Sequence, residues 1–218
     1  HIHNVLSGLE EHGAMDAIDA VLTGYLGDSS LGDLVLETID KIRKKNKDLR
    51  YICDPVMGDV GRGVFVKEDL PPFFKSRAVP FADVITPNQF ELSLLTDEKI
   101  TDMQSVLKAC RMLHELGPDV ILVTSLITDE TKDTEIQMLI SSKDGSHDIV
   151  TTPKFDLDPA PNGSGDLTAA LFAGHLLRNT DTALSLKTTA ESVYKTFEQT
   201  ARSKGRELTL IQSRDYFR

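Results

Sequence analysis

Cysteine, basic charge and long apolar runs are all scarce in this chain of 218 residues, and each shortage narrows what it can do. Only Cys53 and Cys110 occur, in neither a C-x-x-C pair nor a metal-ligand spacing, so a reducing, cytoplasmic setting is expected. No apolar run approaches the roughly 20 residues that a bilayer demands, so membrane insertion is not expected. Lys and Arg number 24 against 34 Asp and Glu, giving a formal charge of −10, and a nucleic-acid partner would need clustered basic residues instead. The one basic run, 41–47, reads as the solvated face of a helix. The six histidines show no ligand spacing, and His114 and His175 read as surface or core-edge positions on helices, without a role. A Walker A sequence is missing, which excludes a P-loop enzyme. The opening residues His1-Ile2-His3-Asn4 contain no Met and no secretory signal, so a piece of a longer protein is expected.

What remains is the composition of an ordinary globular domain, 40% hydrophobic and 27% charged, long enough to bury one sizeable core. A single domain over 1–218 is expected. Strand and helix signals alternate along it. Residues 20–25 form a short strand, followed by N-cap candidates Asp28, Ser29 and Ser30 and a helix with Leu31, Leu34, Val35, Ile39 and Ile42 on one face. Tyr51-Ile52-Cys53 and 82–85 read as strands, separated by a glycine-rich stretch and a loop region holding Pro71, Pro72 and Pro80. Thr101 with Gln104 suggests a capping box for a helix that ends at Gly117, and 120–124 is a buried strand. Residues 134–142 and 147–152 pair as a hairpin about Asp144-Gly145. A helix opening at 163–166 follows, then a long amphipathic helix 181–204 with Leu186, Ala190, Val193, Tyr194, Phe197 and Ala201 inward, stopped by Gly205. Residues 208–211 read as a closing strand. This alternation implies an α/β fold with a central, mostly parallel sheet, helices on both faces, and ligands beyond the carboxyl ends of the strands.

The sharpest chemical signal is Gly163-Ser164-Gly165-Asp166 leading into the apolar helix 167–177. Small residues let a backbone approach a phosphate, and the unpaired N–H groups and positive dipole end of a helix favour an anion. Asp166 would then stand where it could accept the proton of a hydroxyl attacking a phosphoryl group. Other polar clusters fall just after predicted strands: Thr23-Gly24-Tyr25, Asp54-Pro55 with Asp59, Thr86-Pro87-Asn88 with Glu91, and Thr124-Ser125. Asp54, Asp59, Asn88 and Glu91 are hard oxygen ligands suited to Mg²⁺ on a nucleotide, and Thr124 and Ser125 could meet phosphate oxygens or a monovalent ion. Each has a plainer reading. Asp54 before a proline can cap a turn, Asn88 can N-cap the helix with Phe90 and Leu94, and Thr124 and Ser125 can satisfy a strand end. Tyr25 can be a packed aromatic as readily as a substrate contact.

Taken with Leu-Thr-Gly-Tyr at 22–25, Cys-Asp-Pro-Val-Met-Gly-Asp at 53–59, Ile-Thr-Pro-Asn-Gln-Phe-Glu at 85–91, Val-Thr-Ser at 123–125 and Leu-Ile-Gln-Ser at 210–213, the chain resembles the pyridoxal kinases of the ribokinase-like superfamily. That resemblance implies a three-layer α/β/α fold and transfer of phosphate from ATP to the 5′-hydroxymethyl group of pyridoxal, pyridoxine or pyridoxamine, in vitamin B6 salvage. It implies Asp166 as catalytic base and substrate contact, and Gly163, Ser164 and Gly165 as the anion hole, Ser164 standing where Thr is usual. It puts Asp54, Asn88, Glu91, Thr124 and Ser125 at ATP, and Asp54, Asp59, Thr86 and Glu91 about Mg²⁺ or another divalent cation, with K⁺ or Na⁺ near Thr124 and Ser125. Tyr25 falls near the vitamin ring. Gly61, Gly63 and Phe65 lie in a shortened lid, Phe65 replacing an expected tyrosine. The family's opening strand and ring-binding loops fall before His1. A cytoplasmic homodimer is implied, with no nucleic acid or membrane. A hydroxymethylpyrimidine kinase of the same superfamily, and a truncated nucleotide-binding protein without turnover, are the alternatives.

Overall fold

The computed structural model describes residues 1–157, 161–179, 181–203 and 207–217. Its frame is one six-stranded sheet in the order β1-β2-β5-β6-β7-β8, built from Ala20–Thr23, Arg50–Cys53, Val84–Ile85, Val120–Leu126, Glu135–Ser142 and His147–Pro153. The first four strands run parallel, with Ala20 opposite Arg50, Ile52 opposite Val84, and Val84 opposite Val120. β7 and β8 add an antiparallel hairpin at the far edge. The sheet is therefore mostly parallel, as the alternation of signals implied.

Two cores explain why these segments became strands. Successive side chains of a strand point to opposite faces. Tyr51 and Cys53, Ile85, Ile121 and Val123, and Leu139 enter one buried cluster, whereas Ile52, Val84, Val120 and Leu122, and Ile140 enter another. A strand apolar on both faces must be covered on both. The first cluster is covered by α2 (Ser29–Lys45), α5 (Gln89–Thr96) and α6 (Met103–Leu116), which contribute Ile39, Leu92 and Val106. The second is covered by α7 (Ser164–Arg178) and α8 (Thr182–Ser203), which contribute Phe172 and Leu186. The result is a three-layer α/β/α sandwich.

Several local expectations need correction. The proline-bearing region is helical over 70–81: α3 (Leu70–Phe73), a π-helical turn (Phe74–Ala78) and α4 (Val79–Phe81). Pro71 and Pro72 occupy a first turn, where no N–H is missed, and Pro80 follows a widened turn. The cap of α6 is Asp102, whose carboxylate accepts from Ser105 N at 2.7 Å, one residue beyond the Thr101–Gln104 pairing expected. Residues 208–211 form no strand: α9 (Leu210–Ser213) runs into a 3₁₀ turn, and its packing on α8 overrides the apolar run. The opening residues lie in α1 (Ile2–Glu11). His114 and His175 are buried, the ring of His114 bridging the Pro118 carbonyl and the Ser141 hydroxyl at 2.8 and 2.9 Å. Of the basic run, Arg43 is half-buried, donating to Asp83 and stacking on Phe81. The predicted stop at Gly205 lies outside the described residues.

Candidate active site

Because β1, β2, β5 and β6 are parallel, their carboxyl ends share one rim, and each delivers a polar residue to it. Tyr25 follows β1, Asp54 follows β2, Thr86 follows β5, and Thr124 and Ser125 close β6. A register shift between Val123 and Leu126 and a positive φ of 50° at Ser125 turn that strand end out of the ladder. Thr124 N donates to the Pro87 carbonyl at 2.9 Å, tying this end to the Thr86-Pro87-Asn88 loop.

These ends enclose a cavity of about 340 Å³ with the start of α7 as its opposite wall. Every site residue expected from the sequence lines it except Gly61 and Gly63, which sit at the tip of a small hairpin, β3 (Gly58–Asp59) with β4 (Gly63–Val64). Tyr25 is exposed at the rim and not packed. Five lining residues had been given no individual role: Val56 and Gly58 within the 53–59 motif, Arg62 within the lid stretch, and Asn162 and Ala169. An adjoining, mainly apolar cleft of about 180 Å³ shares Thr124, Ser125, Ser164 and Gly165 with it. Ile136, Met138, Phe155, Tyr194 and Phe197 line that cleft. The periodicity of α8 had read Tyr194 and Phe197 as core, since an inward stripe looks the same whether it meets protein or a void.

The start of α7 is left open. Gly163 adopts φ 84° as its N-cap, a conformation that favours glycine, and supplies no side-chain cap. The helix ladder begins with Leu167 N donating to Gly163 O at 2.9 Å, so Ser164, Gly165 and Asp166, which line the cavity, have N–H groups without an acceptor among the described residues. The Asp166 carboxylate stands beside the end of β1: a methyl group on Gly24 would come within 3.3 Å of its Oδ1. It makes no hydrogen bond among the described residues.

The carboxylates behind it are held firmly. Asp54 is buried and accepts from Thr86 Oγ1 at 3.1 Å through Oδ1. Burial pushes its carboxyl up to about 7, helped by the charge of Asp166 and opposed by the Thr86 hydroxyl. Glu91, also buried, accepts from Asn88 N at 2.9 Å and from Met57 N at 2.9 Å. Burial raises it to about 8 against those N–H groups. Asn88 completes a capping box with Glu91 and donates through Nδ2 to the Gly58 carbonyl at 2.8 Å, so the plainer reading of Asn88 as an N-cap holds alongside its place in the cavity. Asp59 is exposed, its Oδ1 accepting from Val60 N at 2.7 Å.

The donor set suits a hard divalent cation that arrives with a nucleotide. Among the described residues no group of three His, Cys, Asp or Glu side chains forms a closed metal site. What the rim offers is Asp54 Oδ2, without a hydrogen-bond partner among the described residues, with Asp59 nearby. Mg²⁺ is commonly held in this way, by one or two carboxylates plus phosphates and water.

The sequence model of the phosphomethylpyrimidine kinase family matches residues 11–209. A protein named pyridoxal kinase PdxY from Corynebacterium diphtheriae is 42% identical over 98% of this chain and 75% of its own length. One of the same name from Rubrobacter xylanophilus is 44% identical over 98% of this chain and 73% of its own. The chain belongs to the pyridoxal kinase family. It spans about three quarters of these relatives. Among solved structures, the pyridoxal kinase of Leishmania donovani in complex with ADP and pyridoxine superimposes with a TM-score of 0.89 at 25% identity, over 99% of this chain and 76% of that one. The Entamoeba histolytica pyridoxal kinase gives 0.86 at 26% identity, covering 99% and 74%.

Proposed function

We propose that this chain transfers the γ-phosphoryl group of ATP to the 5′-hydroxymethyl oxygen of pyridoxal, pyridoxine or pyridoxamine, working in the cytoplasm as a homodimer. The observation that carries the proposal is the uncapped start of α7 with Asp166 three residues in, facing a rim of oxygen ligands across one cavity. The names of the relatives and the ADP complex of the Leishmania protein support the choice of reaction. The buried free thiols Cys53 and Cys110 suit a reducing compartment. The homodimer comes from the family resemblance.

In this reading Asp166 takes the hydroxyl proton as the vitamin oxygen bonds to the γ-phosphorus and the bond to the β,γ-bridging oxygen breaks, releasing ADP. The N–H groups of Ser164, Gly165 and Asp166, with the positive end of α7, hold the charge on the transferring oxygens. Asp54 is the first choice to hold Mg²⁺, with Asp59 beside it. Thr86 orients Asp54, and Glu91 keeps the loops of both in register. A bound Mg²⁺ neutralises phosphate charge. Thr124 and Ser125 contact the triphosphate or a K⁺ or Na⁺ ion, the apolar cleft takes the nucleoside, and Tyr25 borders the ring of the vitamin.

The phosphomethylpyrimidine kinase match favours one second reading, a hydroxymethylpyrimidine acceptor. ATP consumption measured with each alcohol in turn separates them. Turnover with a B6 vitamer is expected. Turnover with the pyrimidine alcohol alone would transfer the assignment, and none with either would leave a nucleotide-binding protein.

A further inference from the structure

The cavity has a conspicuous charge deficit for a site that must hold a polyphosphate. Asp54, Asp59, Glu91 and Asp166 all line it, and among the described residues Arg62 is the one cationic side chain that does. Lys154 lines only the adjoining apolar cleft. Burial disfavours the charged forms of Asp54 and Glu91, but a nucleoside triphosphate still brings its own negative charge to this rim.

Arg62 is placed to meet it. Its guanidinium makes no hydrogen bond and no ion pair among the described residues. It rests instead over the ring of Phe65, 5.1 Å from the centroid. The next basic residue along the chain, Lys67, is by contrast paired with Asp28 at 3.2 Å. Arg62 sits at the tip of the β3–β4 hairpin between Gly61 and Gly63, with φ of 82° and 68°. Neither glycine has anything within 4 Å of where a Cβ would lie, so they are there for backbone conformation and not for space. The base of the hairpin is fixed: Asn88 Nδ2 holds the Gly58 carbonyl, Glu91 holds Met57 N, and Phe65 N donates to the Met57 carbonyl at 3.0 Å. A clamped base and a glycine-flanked tip let the side chain at the tip turn without disturbing the cavity floor.

We infer that Arg62 is the phosphate-gripping residue of this site, leaving the Phe65 ring to fork two oxygens of the bound triphosphate. The inference rests on the kinase reading above and adds a residue to it. A planar guanidinium matches two phosphate oxygens at once, and an aromatic face holds it in readiness without the competition of a carboxylate.

The test compares the wild type with Arg62→Ala and Arg62→Lys in three measurements: the affinity for ATP and for AMP in the presence of Mg²⁺, steady-state turnover, and the melting temperature. Arg62→Ala should weaken ATP about tenfold and lower kcat/KM for ATP about a hundredfold, the range expected for losing a charge-assisted fork to phosphate. AMP affinity and melting temperature should stay at wild-type values. Arg62→Lys should recover part of the loss, and millimolar guanidinium ion should raise the turnover of Arg62→Ala. Unchanged ATP affinity, or equal weakening of ATP and AMP with a lower melting temperature, would overturn the inference in favour of a purely structural tip. Should the wild type not phosphorylate any B6 vitamer, the acceptor assignment fails on its own, and the ATP-to-AMP comparison still decides the role of Arg62.

Discussion

Two helices open onto the same cavity, and each carries an acidic residue at its third position, Glu91 in α5 and Asp166 in α7. Their uses are opposite. Glu91 folds back on the Asn88 N–H, while Asn88 accepts from Glu91 N, so the start of α5 satisfies itself and braces Met57 as well. The start of α7 has glycine where α5 has asparagine, and its carboxylate leaves the N–H groups alone. The first arrangement spends its donors on building the rim. The second keeps them for an anion. An acidic residue near a helix start thus has no fixed meaning, and the residue at the N-cap decides whether that start is scaffold or binding surface.

The comparison breaks most sharply at position 166. Asp166→Asn keeps the shape of the α7 start but cannot accept the hydroxyl proton, so turnover should fall by about 10²- to 10⁴-fold. Nucleotide affinity and melting temperature should barely move. Retained turnover would mean that α7 binds but does not react. At position 91 the effect should fall on folding. Glu91→Ala strips an acceptor from buried N–H groups of the rim, at about 1–3 kcal/mol for each donor left unpaired. For a chain of this size each kcal/mol lowers the melting temperature by about 2–4 °C, which thermal unfolding would read directly. A variant as stable as the wild type, with turnover lost instead, would place Glu91 among the reacting groups and erase the contrast.

The sequence conveyed the rim better than the walls. Asp54, Thr86 and Thr124 were legible because short polar words after strands can converge only at the carboxyl ends of a parallel sheet, and Asp166 because Gly163-Ser164-Gly165 marks a helix start open to an anion. The capping box of α5 was half legible, since Asn88 and Glu91 serve as both cap and cavity lining and one spacing cannot tell these apart. Tyr194 and Phe197 were read as core because periodicity reports which side of a helix is apolar and not what lies opposite. Arg62 was legible only as one position of the 60–65 lid stretch, in which nothing singles out the arginine until the hairpin brings its side chain to the cavity. The helix over 70–81 was hidden by its prolines, which mark a loop unless they fall where a helix needs no N–H.

The finest contrast between the two carboxylates behind the rim is their response to pH. Burial raises Asp54 from 3.8 to about 7 and Glu91 from 4.5 to about 8, so between about pH 4 and these values the folded chain keeps protons that the unfolded chain has released. Stability without ligand should therefore decline as pH rises through that window. Cation binding works the other way, because a ligand carboxylate must be ionised. If Asp54 is that ligand, affinity for Mg²⁺ in the presence of ADP should climb about tenfold per pH unit below 7 and level off above it. Calorimetric titration at several pH values measures the slope. Asp54→Asn should flatten it, whereas Glu91→Gln should leave it standing, because both Glu91 oxygens already serve backbone N–H groups. The reverse pattern would make Glu91 the metal-facing carboxylate and Asp54 the brace.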